Sequence, residues 1–334
     1  MTLNVGVIGT GNIGSYHIGR LAARISGTRV AAVYDVATDR ATEIAGQVGA
    51  KVHAEPTDVI DDGDVDAVVV TSPGETHTAF VLACIAADKP VLTEKPLATS
   101  AEDGLRVLEA EVAHGRRLVQ VGFMRRYDAG YRRVRAAIDA GAIGTPLIAH
   151  CVHRNAVAPH HFTSEMLPLD SVVHEVDVIR WLLDTEFVAA TVLTPRRSPL
   201  VSDDLQDPQL VILETSEGAI VDVECFVNCR YGYDVRCEVV GSEGTVELET
   251  PVTTSLTRQG VRGRGVPADW KERFDSAFHT EIAEWAAGLH DGSVTGPSAW
   301  DGYAATVVTS ACVTSLHAGR RTAIALVEKP SFYA

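Results

Sequence analysis

Leu3-Asn-Val-Gly-Val-Ile8 runs directly into Gly9-Thr-Gly11-Asn12-Ile13-Gly14, and this stretch decides the fold. A short apolar, strand-like run ends in spaced glycines, and a helical pattern follows. Glycine here permits a tight turn, lets backbone amides approach a pyrophosphate, and lets helix and strand pack closely. Alone the pattern is weak, because a plain turn also uses glycine. Its context strengthens it: Asp35 stands 21 residues after Gly14, at the end of the second candidate strand. A carboxylate there accepts hydrogen bonds from a ribose diol and repels a 2′-phosphate. The reading is a dinucleotide site on Gly9, Gly11, Asn12, Ile13, Gly14 and Asp35, with NAD favoured over NADP. Arg40, about one helical turn beyond Asp35, tempers the preference, since a guanidinium tolerates a phosphate.

Outward from this turn, residues 1–122 alternate short apolar runs with helical stretches. Strands are expected at Leu3–Ile8, Arg29–Tyr34, Lys51–Val52, Ala67–Thr71, Pro90–Thr93 and Leu118–Val121, with helices at Ile13–Ile25, Ala37–Gln47, Thr76–Ala87 and Ala101–Ala113. Runs such as Ala67-Val-Val-Val-Thr71 are apolar on both faces, as a helix-covered parallel sheet requires. The implied architecture is a doubly wound α/β domain.

From residue 123 to 334 the texture changes. Helices are expected at Ala129–Ala140 and Ser171–Leu183, then strands at Val188–Thr194, Gln209–Thr215, Ala219–Asn228, Asp234–Val240 and Thr245–Glu249. Glu217-Gly218 and Glu243-Gly244 mark tight turns, so consecutive strands pair antiparallel. Thr254–Gly265, polar and rich in Gly and Arg, reads as a mobile loop. Helices Phe278–Leu289 and Ala299–His317 close the chain, and their return onto the first domain is left open.

Composition narrows the partners. Of 334 residues, 29 are Lys or Arg and 44 are Asp or Glu, a net charge of −15, while 46% are hydrophobic. The apolar share supports a buried core and excludes disorder; the acidity disfavours nucleic acid and anionic membrane surfaces. Cys225 and Cys229 are read as apolar fillers on one strand face. Met1 leads directly into a strand, and no apolar run nears the ~18 residues of a membrane span. A reduced, cytoplasmic protein is expected.

Ligands of such a sheet gather at the carboxyl ends of its strands. That singles out Ser72 and His77, which serve equally well as caps, and Glu94-Lys95-Pro96, where proline restricts Lys95 to extended backbone. A further charged cluster, Asp170-Ser-Val-Val-His174-Glu-Val-Asp177, read as a helix, puts Asp170, His174, Asp177 and Trp181 on one face. Val172, Val176, Ile179 and Leu183 fall on the other. An imidazole one turn from a carboxylate suits removal of a hydroxyl proton during hydride transfer; a helix cap beside a surface histidine fits the spacing equally. His150, His153, His160, His161 and His174 lack the spacing of a metal set, so no metal is expected.

Taken in order, Gly9–Gly14, Glu94-Lys95-Pro96-Leu97-Ala98, Gly122-Phe-Met-Arg-Arg-Tyr-Asp128 and Asp170-x-x-x-His174 resemble the Gfo/Idh/MocA oxidoreductases over essentially the whole chain. Phe123-Met-Arg-Arg-Tyr-Asp128, His153-Arg-Asn155 and Arg230-Tyr-Gly-Tyr-Asp234 look closest to the inositol 2-dehydrogenase branch. The resemblance implies an N-terminal Rossmann domain, then an α/β domain with a large, mainly antiparallel open sheet that forms the oligomer contact, a homotetramer by analogy. It implies NAD, with Ser72, His77, Glu94 and Lys95 among its contacts, and a catalytic set of Lys95, Asp170 and His174. Met124, Arg125, His153, Asn155 and Tyr233 would line the pocket of a neutral polyol. The activity implied is oxidation of myo-inositol to its 2-keto product. Alternatives are another inositol isomer or an aldose as substrate, a glycosidase that uses bound NAD, and a non-catalytic NAD sensor.

Overall fold

The computed structural model describes residues 2–202, 204–249 and 255–334, which divide into two compact units. The first holds residues 1–123, 278–306 and 326–334; the second holds 124–277 and 307–325. Met1 and Thr254, both used in the sequence reading, lie outside the described residues.

In the first unit, β1 (Leu3–Ile8), β2 (Thr28–Tyr34), β3 (Lys51–Val52), β4 (Ala67–Val70), β5 (Val91–Glu94) and β6 (Val119–Gly122) form one parallel sheet in the order β3-β2-β1-β4-β5-β6. Helices α1 (Asn12–Ala23), α2 (Thr38–Val48), α3 (Pro56–Asp61), α4 (Gly74–Ala86) and α5 (Ala101–His114) make the crossovers. β4, β5 and β6 are buried at every position, so both faces are covered, and the order reverses between β1 and β4. Val5, Val7, Val30, Val33, Val69 and Leu92 form a core with Ile282 and Trp285. The short α3 is the element here that the sequence pattern missed.

The second unit begins with a 3-10 turn (Met124–Tyr127) and α6 (Ala129–Asp139), whose N-cap Asp128 accepts from the amides of Gly130 and Tyr131. Then come β7 (Pro146–Arg154), α7 (Val173–Leu183), β8 (Phe187–Leu193), β9 (Gln209–Thr215), β10 (Ile220–Phe226), β11 (Asp234–Gly241) and β12 (Thr245–Glu247). The hairpin β13 (Ser255–Arg258) with β14 (Val261–Arg264) and β15 (Thr322–Ala323) also belong here, together with residues 270–277 of α8 (Trp270–His290) and 307–318 of α9 (Ala299–Ala318), the rest of each helix counting with the first unit.

The second sheet runs β12-β11-β7-β10-β9-β8-β15, and every pair is antiparallel except β7 with β10. β9 and β10 alternate buried and half-exposed side chains, the mark of a sheet covered on one face.

Three expectations change. β7, unread in the sequence because histidines interrupt its alternation, is a central strand. Ser255–Arg264 is a hairpin turned at Gln259 and Gly260, whose φ values are 52° and 78°, rather than a loop. β10 stops at Phe226, so Cys225 is buried in it while Cys229 lies outside the strand, its Sγ bonding the Gly232 carbonyl.

Candidate active site

In the first unit the site is made by backbone. Gly9 has φ +99°, and a Cβ there would meet the Ser72 amide nitrogen at 2.6 Å; a Cβ on Gly14 would fall 2.0 Å from the Gly9 carbonyl oxygen. These two glycines let strand and helix close on each other. Gly11 differs, since a Cβ there meets nothing within 4 Å. No side chain caps α1, and the first-turn amides of a helix have no intrahelical acceptor. Open space beside an uncapped helix start fits a pyrophosphate. Asn12 and Ile13 open α1, the former exposed and the latter half-buried.

Asp35 directly follows β2, and the protein itself engages its carboxylate. Oδ2 accepts from the Thr10 amide at 2.6 Å and the Thr10 hydroxyl at 3.0 Å, Oδ1 from the Ala37 amide, and both oxygens from Arg40 Nη2. Burial alone would raise the Asp35 pKa; Arg40 and these donors outweigh it and hold the group below the usual carboxylate range. Arg40 is thus committed to Asp35 rather than left free for a phosphate.

Further along the same sheet, the His77 ring is buried with Nδ1 2.7 Å from the Pro96 carbonyl and Nε2 2.8 Å from the Ser72 carbonyl. It ties the segment after β4 to the segment after β5. Ser72 Oγ pairs with Thr76 Oγ1. Glu94 reaches His17 on α1 at 2.8 Å, and the Lys95 amide lies 3.3 Å from Glu94 Oε2. Lys95 itself is half-buried at the carboxyl end of β5. A cavity of about 1020 Å³ lined by Thr2, Asn4, Asp66, Asp88 and Arg117 opens at the other end of the sheet and holds none of the candidate residues.

In the second unit the site is made by side chains. Leu167–Val172 forms a π-helical turn, the wide i→i+5 geometry, and α7 follows without a break. Asp170 sits in that turn, half-buried, and His174 is buried in the first turn of α7. The helix expected from the sequence forms from Val173, preceded by the π-turn that holds Asp170, but its charged side is not open to solvent. Val173 through Arg180 are all buried, and the charges are matched instead of presented: Glu175 with Arg125, Asp177 with Arg126, Arg180 with Glu186.

Around His174 the fold gathers three of the sequence candidates, His153, Tyr233 and Arg125. The His153 ring lies 6.3 Å from the His174 ring, stacked at 30°, and 5.8 Å from the Tyr233 ring, edge-on. Arg125, 1% exposed, donates through Nη1 to Glu175 Oε1, and its Nη2 lies 3.1 Å from His153 Nδ1. Met124 is buried in the 3-10 turn, and the Asn155 Oδ1 atom is buried with no hydrogen-bond partner among the described residues. An orphaned carbonyl of this kind fits a polar ligand.

Burial alone would raise Glu175; Arg125 and His153 outweigh it and lower the group. Glu175 escaped the sequence reading, although it adjoins His174. A wholly buried acid leaves no periodic mark, and only its arginine partner reveals it. Among the described residues, no group of three or more His, Cys, Asp or Glu is arranged to hold a metal. Burial raises the Cys84 and Cys312 thiols to about 12, so neither is a ready nucleophile.

Comparison with known proteins agrees with both halves. Residues 3–123 match the oxidoreductase family with the NAD-binding Rossmann fold, and residues 131–247 match the GFO/IDH/MocA C-terminal domain. The chain is 53% identical over 333 residues to inositol 2-dehydrogenase 3 of Saccharopolyspora erythraea, spanning 100% of this chain and 98% of that one. It is 48% identical over 335 residues to inositol 2-dehydrogenase of Burkholderia ambifaria, spanning 100% and 99%. Among solved structures, myo-inositol dehydrogenase from Lactobacillus casei in complex with NAD(H) and myo-inositol superposes with a TM-score of 0.97 at 36% identity, over 100% of both chains. The chain belongs to the Gfo/Idh/MocA family of NAD-binding oxidoreductases.

Proposed function

We propose that this protein is an NAD-dependent inositol 2-dehydrogenase that converts myo-inositol and NAD⁺ to 2-keto-myo-inositol (scyllo-inosose), NADH and a proton. The observation that carries the reading is likeness over the whole length, Rossmann unit and polyol unit together, to an enzyme solved with NAD(H) and myo-inositol. Bound NAD supplies the hydride acceptor. The uncapped start of α1 and Gly11 receive its pyrophosphate, and Asp35 its ribose diol.

Lys95, Asp170 and His174 are assigned as the catalytic set. His174 takes the hydroxyl proton as the hydride leaves the same carbon. Lys95 holds the reacting oxygen with its charge, and Asp170 binds a neighbouring hydroxyl or the proton in transit. Met124, Arg125, His153, Asn155 and Tyr233 are assigned to the polyol. A ring of hydroxyls needs several fixed polar partners, and each one left unmatched costs affinity.

The partner reading extends to a homo-oligomer, a tetramer, formed through the open face of the second sheet. That face exposes Ile148 opposite Ile220, and Val188 and Leu193 on β8, between the pairs His150–Asp222 and Arg321–Glu214. Light scattering on the purified chain reports the subunit count. We place the protein in the cytoplasm; its six cysteines are all free, and among the described residues no helix is long and apolar enough to cross a membrane.

The test is direct: mix the protein with NAD and a panel of inositols and aldoses, and follow NADH by absorbance. myo-Inositol should give the highest kcat/KM, above scyllo-inositol, D-chiro-inositol and glucose. Turnover of glucose with none of any inositol overturns the assignment.

A further inference from the structure

His153 Nδ1 meets three atoms: Arg125 Nη2 at 3.1 Å, Glu175 Oε1 at 3.2 Å and Glu175 Oε2 at 3.1 Å. A guanidinium only donates and a carboxylate only accepts. A bare Nδ1 would take one hydrogen bond from Arg125 but turn its lone pair toward both carboxylate oxygens. A protonated Nδ1 donates to Glu175; Arg125 then gives up the Nη2 contact with His153 but keeps its ion pair with Glu175 through Nη1.

Charge points the same way. Arg125, Glu175 and His153 are 1%, 1% and 3% exposed. Tyr131, Cys151, Tyr233 and Cys237 adjoin them and bring no charge, His174 stacks on His153, and the nearby Arg273 is already paired with Asp128. One guanidinium and one carboxylate cancel, so a second cation on His153 would be buried unmatched.

We infer that Glu175 is a positioning residue for substrate recognition: it fixes His153 as the Nδ1–H tautomer, so that Nε2 accepts a hydrogen bond from one hydroxyl of the polyol. The inference rests on the assignment of His153 to the polyol site made above. It gives that position a polarity, an acceptor rather than a donor, and therefore makes it sensitive to hydroxyl stereochemistry at one ring carbon.

Two measurements on the full chain test it. In protein labelled with ¹⁵N-histidine, multiple-bond ¹H–¹⁵N spectra, with His153 assigned by the signals lost in His153→Asn, should show a protonated Nδ1 and a bare Nε2. In Glu175→Gln the side-chain amide can donate to Nδ1, and the proton should move to Nε2. The same variant should raise KM for myo-inositol about tenfold, as one mis-set buried hydrogen bond does, with kcat and NAD affinity changed less than about threefold. Its ranking of inositol isomers should change, and Glu175→Asp should recover part of the KM.

A wild-type His153 protonated on Nε2, or an unchanged KM and isomer ranking in Glu175→Gln, overturns the inference. If Glu175→Gln does not fold, the wild-type spectrum decides alone. If the wild type turns over no inositol, the proposed function falls, while the tautomer still decides the Glu175–His153 relation.

Discussion

The turn between β1 and α1 and the first turns of α7 both prepare a polar site, by opposite means. At the turn, side chains are missing: Gly9 and Gly14 have no room for a Cβ, and the donors offered are backbone amides. Along α7, charged side chains are packed in, and Glu175, Asp177 and Arg180 are buried against Arg125, Arg126 and Glu186. A site of the first kind fails when an atom is added. A site of the second kind fails when a partner is taken away, because the remaining charge stays buried.

The largest effect expected of this contrast is on rate. His174→Ala and Lys95→Ala should each lower kcat by about 100- to 10,000-fold, the range of a lost general acid–base or charge contact. NAD affinity, read by NADH fluorescence, should stay within about threefold in His174→Ala, because the cofactor is assigned to the turn after β1 and not to α7. Wild-type turnover in either variant removes that residue from the catalytic set.

Next comes the cost of stranding a charge. Asp128 caps α6 and pairs with Arg273, which is 4% exposed. Asp128→Ala should cost about 3–5 kcal/mol by leaving that guanidinium unmatched, with about 1 kcal/mol more for the lost cap. Asp128→Ser with Arg273→Met should recover most of the stability in urea unfolding. Failure of the double variant to recover shows that packing, and neither the stranded charge nor the lost cap, carries the cost.

Adding atoms tests the other region. Gly14→Ala pushes a methyl group into the Gly9 carbonyl and should cost about 1–3 kcal/mol or more, as overpacking does. Gly11→Ala meets no neighbour and should keep the wild-type Tm while weakening NAD binding. Equal Tm losses in the two variants would mean that Gly11 serves the fold and not the ligand.

The same contrast governs what could be read from the chain. The glycine turn and the strands are local features, with the two-faced burial of β4 written as an unbroken apolar run, and Asp35 follows from a fixed spacing one strand later. α7 is not local. Its period predicted a polar face, but the fold brings Arg126 against Asp177 on that face and Arg125 against Glu175 on the other side, from 51 and 50 residues away. β7 was hidden because His150 and His153 sit on opposite faces, one paired at the surface with Asp222 and one in the buried cluster. The candidates His153, Arg125 and Tyr233 were legible only through family motifs; that they meet is a property of the sheet register.

The smallest effect lies where the two means of building a site overlap, at Asp35, a side chain fixed by backbone amides and by Arg40. Its folded pKa is held below the ordinary value despite burial, by Arg40 and the Ala37 and Thr10 donors. An acid depressed in the folded state adds stability above its unfolded pKa, about 3.9. That stability is lost as pH falls through the lower folded value. Arg40→Ala leaves the amides in place but removes the cation, so the folded pKa rises and the gap narrows. The variant should therefore be slightly less stable at pH 7, and its Tm should begin to fall at a higher pH on acidification than that of the wild type. Because the Arg40 side chain is 48% exposed, solvent screens the pair and the loss should stay under about 1 kcal/mol, shrinking in high salt. Tm measured from pH 7 to pH 3 at two salt concentrations checks it. Superimposable curves for variant and wild type would leave the Thr10 and Ala37 amides and the Thr10 hydroxyl as the support of the Asp35 carboxylate, making that residue, too, mainly part of the backbone-built region.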